Sequence, residues 1–375
     1  MESDRPHVVH VIDELPPDGA ERLIVDVLSN RSERFRYSVV CLVAGGVMVA
    51  ELNGMNVPVA ILDRRRGFDV GTIPVLMRWL YRNDVAVVHT HLYAADSYGR
   101  VAAWLLGIKG RFSTRHNTSA WKGTMRQMLA RTIALTSTKL IACGAEIGVR
   151  MVEQERIPGR LVTVIPNGID LRRLERARRE ALRNELRIAP CTVLLGVVGR
   201  LHPQKGHLVL IEALAALKMR TDRFVCVIAG SGELHEEIAA SIRQQGLVDT
   251  VSMLGQRNDI PDVLAALDVF VMPSLWEGLP MALLEAMALA KPAVASAVGA
   301  IPDAIETGVN GVLVPAGDAN ALAQALREIV NDDAKRRMLG ANARNTVVKK
   351  FNAADTASAY EALYAAALGM PVESR

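Results

Sequence analysis

The chain has 375 residues, enough for two domains with separate cores, and 50% of it is hydrophobic. A net charge of only +4 and an aromatic content of 4% exclude the basic stripe with interleaved aromatics expected of a nucleic-acid binder. Residues 1–170 hold 21 Lys and Arg against 17 Asp and Glu, and residues 171–375 hold 23 of each, so the basic excess lies in the first half.

Strand-like runs alternate with longer helical patterns from the start: His7–Ile12, Tyr37–Val43, Val57–Leu62, Val85–His89, Arg111–Thr114 and Leu140–Cys143. Val164–Asp170, with Pro166 and Asn167-Gly168, reads as a turn at a hinge. The alternation restarts at Thr192–Val198 and continues through Phe224–Ala229, Val251–Leu254, Val269–Met272, Ala293–Ala295 and Gly311–Val314. This pattern predicts two doubly wound α/β domains with parallel sheets. The segment 172–187, with seven Arg and three Glu, reads as a solvated helix or as a phosphate or lipid contact.

Cys41, Cys143, Cys191 and Cys226 lie in or beside apolar runs and form no CxxC pair, which fits reduced cysteines in a cytosolic protein. Met1–Pro6 lacks the apolar core of a signal peptide, and no apolar run is long enough to span a membrane. The expectation is a cytoplasmic protein, soluble or peripheral on the inner face of a membrane.

Chemistry concentrates at two strand ends. After Val193–Val198 comes Gly199-Arg200-Leu201-His202-Pro203-Gln204-Lys205-Gly206, followed by a helix from about His207 to Leu217. Two cations, flexible glycines and a helix N-terminus make a cradle for a diphosphate. The order is not that of a Walker loop, and Ala229–Glu233 lacks the third glycine of a dinucleotide fingerprint. After Val269–Met272, Pro273–Ala288 sets Glu277 in a loop and Glu285 one to two turns into a helix. Glu285 fits either a solvated helix position or a functional one, and its apolar neighbours mean that a buried carboxylate there needs partners.

Val164–Asp170, Val198–Lys205 and the Glu-x7-Glu element Glu277/Glu285 make nearly the whole chain resemble the retaining glycosyltransferase family 4. The resemblance implies the GT-B architecture, α/β, with two Rossmann-like doubly wound domains facing across a cleft. Residues 1–168 would form the acceptor-side domain, with a C-terminal helix at about 355–370 packing back on it, and 169–354 the nucleotide-sugar donor domain. It implies that Glu277 meets hydroxyls of the donor sugar and Glu285 the ribose. Arg200 and Lys205 would hold the diphosphate, completed by backbone of Gly278, Leu279, Pro280 and Met281.

Asp18–Arg22 is similar to the family's Gly-Gly-Ala-Glu donor loop, with Gly19 kept and Asp18 in place of the first glycine. Ala290 replaces a frequent glycine, a change expected to cost little, since alanine differs little from glycine outside special backbone angles. His116, after the strand Arg111–Thr114, matches a histidine that lines the reaction centre in similar enzymes; a structural histidine is the alternative. His89 and His91 share one strand face and read as structural or cleft-lining. No metal site is expected, because ligands are too few and no Asp-x-Asp occurs.

The implied reaction moves a sugar, from a UDP-sugar in the first instance, onto a glycan or lipid-linked acceptor in cell-surface polysaccharide or glycoconjugate synthesis. Arg200 and Lys205 would stabilise the leaving diphosphate, and Glu277 would orient the sugar. The leaving phosphate itself would take the acceptor proton, so configuration is retained and no cofactor is needed. A nucleotide-sugar epimerase of the same fold and a silent nucleotide-sugar-binding subunit are the rival readings. Trp121–Ile133 fits a helix packed on its own core, or one that rests with Arg64-Arg65-Arg66 on anionic lipid.

Overall fold

The computed structural model describes residues 5–64, 69–117 and 131–371. The chain forms two compact units, one of Met1–Asp170 with Asn352–Arg375 and one of Leu171–Phe351.

In the first unit, β1 (His7–Ile12), β2 (Arg36–Cys41), β3 (Val59–Ile61), β4 (Val85–His91), β5 (Gly110–Arg115), β6 (Lys139–Ala142) and β7 (Val162–Val164) form one sheet. Its order is β3-β2-β1-β4-β5-β6-β7, every pair parallel. All six residues of β1 are buried, as expected of a central parallel strand covered on both faces. Val9 and Val11 face a core that includes Leu76, Leu80 and Ala102, from the helices Thr72–Arg82 and Tyr93–Leu105. The two-residue period turns His10 to the opposite face, opposite His89 in register. The helix Ala353–Leu368 covers that face, with the rings of Tyr360 and Tyr364 4.9 and 5.8 Å from His89. Its Glu361 accepts hydrogen bonds from the Tyr37 hydroxyl and the Ser32 amide, both at 2.8 Å.

The second unit contains β8 (Val193–Val198), β9 (Phe224–Ala229), β10 (Val251–Gly255), β11 (Val269–Met272), β12 (Ala293–Ser296) and β13 (Gly311–Val314). The order is β10-β9-β8-β11-β12-β13, again all parallel. Leu195, Val197, Leu210, Leu214, Leu326 and Ile329 belong to its core. In each sheet the first strand in sequence lies inside, with successors on both sides. Loops leaving the carboxyl ends diverge at such a switch point and leave room for a ligand.

One strand was not expected and one expectation needs correction. Val162–Val164 is a strand paired with β6, where the sequence signals only the approach to a turn; three half-exposed residues at a sheet edge carry too little pattern to register. The segment 172–187 is not one solvated helix but a 3-10 turn, Leu171–Leu174, and a short helix, Arg179–Glu185. Arg173, Arg178, Arg179 and Arg183 pair with Glu285, Asp262, Asp268 and Asp268, and Arg183 is buried. Those acids lie far along the chain, so a local count of charge could not reveal the pairing.

Candidate active site

The loops after β8 and β11 meet at the switch point of the second sheet. Gly206 ends the first loop at φ 65°, and a Cβ there would lie 2.0 Å from the Pro273 carbonyl oxygen, so only glycine allows this approach. Gly299, at φ 57°, backs onto the Glu277 carbonyl with a corresponding distance of 2.1 Å. The Leu275 amide donates to the Gln204 carbonyl at 2.8 Å, and the Ala300 amide to that of Gly278 at 2.9 Å. The loop carrying Glu277 is thereby fixed from two sides.

Glu277 is buried, and its two carboxylate oxygens accept from Lys205 Nζ at 2.6 Å and Gln204 Nε2 at 3.1 Å. Gln204 Nε2 also donates to the Trp276 carbonyl at 3.0 Å. An ammonium has three donors, so the bond to Glu277 leaves Lys205 able to serve another anion. Glu285 is the fifth residue of the buried helix Met281–Ala288 and accepts from Arg173 Nη2 at 2.6 Å. Leu279, Pro280 and Met281 are buried with Gly278 at the start of that helix, and Arg200 is exposed in the neighbouring loop. His207 opens the helix after Gly206; burial, then the Lys205 charge, push its pKa down to about 4, so it is neutral beside the lysine.

In the first unit, Gly19 is the exposed first residue of the helix Gly19–Ser29, on the loop after β1, with Asp18 at its N-cap. His116 follows β5, and its Nε2 lies 3.0 Å from His91 Nδ1. His91 Nε2 is in turn 2.9 Å from His10 Nδ1. His89 stacks on His91 at 4.5 Å but bonds elsewhere, with Nδ1 2.5 Å from the Tyr364 hydroxyl and Nε2 2.7 Å from Thr114 Oγ1. Burial lowers the pKa of His116 to about 4 and of His10 to about 3, and that of His91 well below the ordinary imidazole value, so all three are neutral at pH 7.

Ring nitrogens of His10, His89 and His91 lie within 4.8 Å of one another, a spacing that could hold a metal ion. Yet His89 and His91 already use both nitrogens on hydroxyls and imidazoles, so chelation would require breaking those bonds.

Sequence reasoning passed over Gln204, Arg173 and His10. A neutral amide carries no charge signal, Arg173 hid in a basic run, and His10 sits in an otherwise apolar strand. Ala290 corrects a further expectation. It lies at φ 58°, in the left-handed region where a Cβ is strained, so its replacement of glycine is not free of cost. Arg64 is no lipid-facing cation either: its side chain is 5% exposed, pairs with Asp13 at 3.3 Å and lies over the Tyr98 ring. Arg65, Arg66 and most of the Trp121–Ile133 segment lie outside the described residues.

Two parallel α/β units, with the Lys205–Glu277 cluster at the switch point of the second, define the GT-B class of glycosyltransferases. The profile described as "Glycosyl transferases group 1" matches residues 178–346, and "Glycosyltransferase Family 4" matches 17–173. The Escherichia coli UDP-Gal:alpha-D-GlcNAc-diphosphoundecaprenol alpha-1,3-galactosyltransferase is 31% identical over 297 residues, covering 76% of each chain. The Erwinia amylovora amylovoran biosynthesis glycosyltransferase AmsK is 35% identical over 203 residues, 52% of this chain and 48% of that one. The crystal structure of Anabaena HepE with UDP and glucose superposes with a TM-score of 0.84 at 22% identity, over 95% of this chain and 98% of that one. The chain belongs to the group 1 and family 4 glycosyltransferases, and it is a glycosyltransferase of polysaccharide or glycoconjugate biosynthesis. Among the described residues no helix is long and apolar enough to cross a membrane.

Proposed function

We propose that the chain transfers a sugar from a UDP-sugar to a glycan or lipid-linked acceptor, with retention of configuration and without a metal ion. The observation that carries this reading is the clamping of Glu277 between Lys205 and Gln204 where the loops after β8 and β11 meet. A fixed carboxylate can orient sugar hydroxyls, and an adjacent cation can stabilise a diphosphate as it departs. Arg200 adds a second cation on the same loop. In this reading Glu285, which accepts from Arg173, also accepts from the ribose hydroxyls.

Residues 1–168, with His116 at the reaction centre, serve the acceptor side, Gly19 of that unit meets the donor, and residues 169–354 bind the donor. The galactosyltransferase relative, whose name specifies a UDP-sugar and a diphosphoundecaprenol acceptor, supports the donor and acceptor classes. Work at the cytoplasmic face, in peripheral contact with anionic lipid, is the setting consistent with such an acceptor.

The test is to incubate the purified protein with UDP- and GDP-sugars and a polyprenyl-diphosphate sugar, with excess EDTA, and to assign the product anomer by NMR. Transfer from a UDP-sugar with the donor's configuration kept is expected. An inverted product would refute retention, and activity restored only by Mn²⁺ or Mg²⁺ would refute the metal-free mechanism. Interconversion of nucleotide sugars without transfer would favour an epimerase.

A further inference from the structure

His10, His91 and His116 come from β1, β4 and the end of β5, and they form one line of imidazoles through the contacts His10 Nδ1···His91 Nε2 and His91 Nδ1···His116 Nε2, at 2.9 and 3.0 Å. Their rings follow one another at 5.2 and 5.3 Å with interplanar angles of 21° and 30°. A neutral imidazole has one N–H and one lone pair, so each link needs a donor on one ring and an acceptor on the next. Three neutral rings joined in this way have only two proton arrangements, and the choice at one end sets the tautomer at the other.

The buried end supplies the bias. His10 Nε2 is inaccessible and has no hydrogen-bond partner among the described residues. In one arrangement an N–H is stranded there, in the other a lone pair. Among buried backbone groups an N–H without an acceptor is rarer than an under-satisfied carbonyl, and we carry the same order over to the imidazole. With the lone pair at His10 Nε2, His10 Nδ1–H donates to His91, His91 Nδ1–H donates to His116, and the remaining proton of His116 resides on Nδ1.

We propose that His91, at the near end of this buried line, is a positioning residue that holds His116 as its Nδ1–H tautomer, so that it offers a hydrogen-bond donor, not a lone pair, to an anionic or hydroxyl oxygen of the substrates. The substrate part rests on the reading of His116 as a residue of the reaction centre; the tautomer part rests on the line of contacts alone. His89 stands outside the line, since both its nitrogens are bonded to hydroxyls. A neutral donor there can approach a phosphate or sugar oxygen without changing the charge of the site.

The experiment is two-bond ¹H–¹⁵N correlation of the full-length protein labelled with ¹⁵N-histidine at pH 7.5, with signals assigned by single His→Phe variants. His116 is expected as a single Nδ1–H tautomer, and an Nε2–H tautomer or a mixture in the native protein overturns the proposal. In His91→Phe, which keeps a ring in the stack but removes the partner of His116 Nε2, His116 is expected to become a mixture; in His10→Phe the unpartnered buried nitrogen is His91 Nε2, the same bias acts there, and His116 is expected to stay Nδ1–H. In Tyr364→Phe, which keeps the ring and removes the hydroxyl bonded to His89, it is expected to stay unchanged.

If neither His→Phe variant folds, the native spectrum still decides. In assays, His91→Phe is expected to lower kcat about tenfold with the donor KM nearly constant, the loss typical when the partner orienting a functional imidazole is removed. An unchanged His116 tautomer in His91→Phe refutes positioning. Full activity in His116→Phe would refute the reaction-centre reading while leaving the tautomer result intact.

Discussion

The two switch-point regions are built from opposite materials. In the second unit, formal charges on loops and short helices meet partners of opposite sign: Lys205 with Glu277, and Arg173 with Glu285. In the first unit, neutral imidazoles on strands bond to one another and to hydroxyls. The difference follows from the environment. Carboxylates close to solvent-reaching Lys and Arg stay paired, whereas histidines beneath a covering helix shed their protons, because burial penalises the cation. The ionic site is suited to bind and release an anion, and the imidazole face to offer fixed donors and acceptors without altering charge.

The largest expected effect strikes the ionic side. Lys205→Ala should lower turnover by about 10²–10³, roughly 3–4 kcal/mol of transition-state stabilisation, with folding intact by circular dichroism. Near-normal kcat would remove the phosphate role from this lysine. Gly206→Ala tests whether the ionic site depends on loop geometry. It forces a Cβ against the Pro273 carbonyl at φ 65° and should cost about 2–3 kcal/mol in denaturant titration. Unchanged stability would show that the two loops are not held by this contact.

Acid separates the regions. The folded pKa of His10 is depressed to about 3, so the native state binds fewer protons than the unfolded state below the ordinary value of 6.5. Stability from this group is therefore present above pH 6.5 and is lost as pH falls toward 3. Between pH 6.5 and 5 the loss from His10 is about 2 kcal/mol. Thermal melts over this range should show a falling Tm with a shallower slope in His10→Phe; equal slopes would break the contrast.

The two glutamates divide the ionic site itself. Glu285→Gln should weaken free UDP about tenfold in calorimetry, roughly 1.4 kcal/mol, while Glu277→Gln should depress kcat and leave UDP affinity near that of the native protein. Equal affinities in both variants would refute the division. Smallest is Ala290→Gly, which relieves a left-handed alanine after the Glu285 helix and should raise stability by about 1 kcal/mol with activity unchanged.

Sequence alone determined the alternation of strands and helices, the two doubly wound units and the short-range groupings Arg200/Lys205 and Glu277/Glu285. Those signals are local: a buried parallel strand must be a run of apolar residues, and a phosphate-sized cradle needs cations and glycine within one loop. The strand Val162–Val164 escaped because three residues at an edge do not make a pattern. What only the tertiary structure decided are the partnerships. Glu285 is a paired carboxylate because the chain brings Arg173 back to it, and Arg64 is internal because Asp13 and Tyr98 receive it. His10, His91 and His116 become one line because β1, β4 and β5 are neighbours in a sheet whose order is not that of the sequence. Hydrogen bonds and ion pairs act over about 3 Å, and residues tens of positions apart come that close only through the fold.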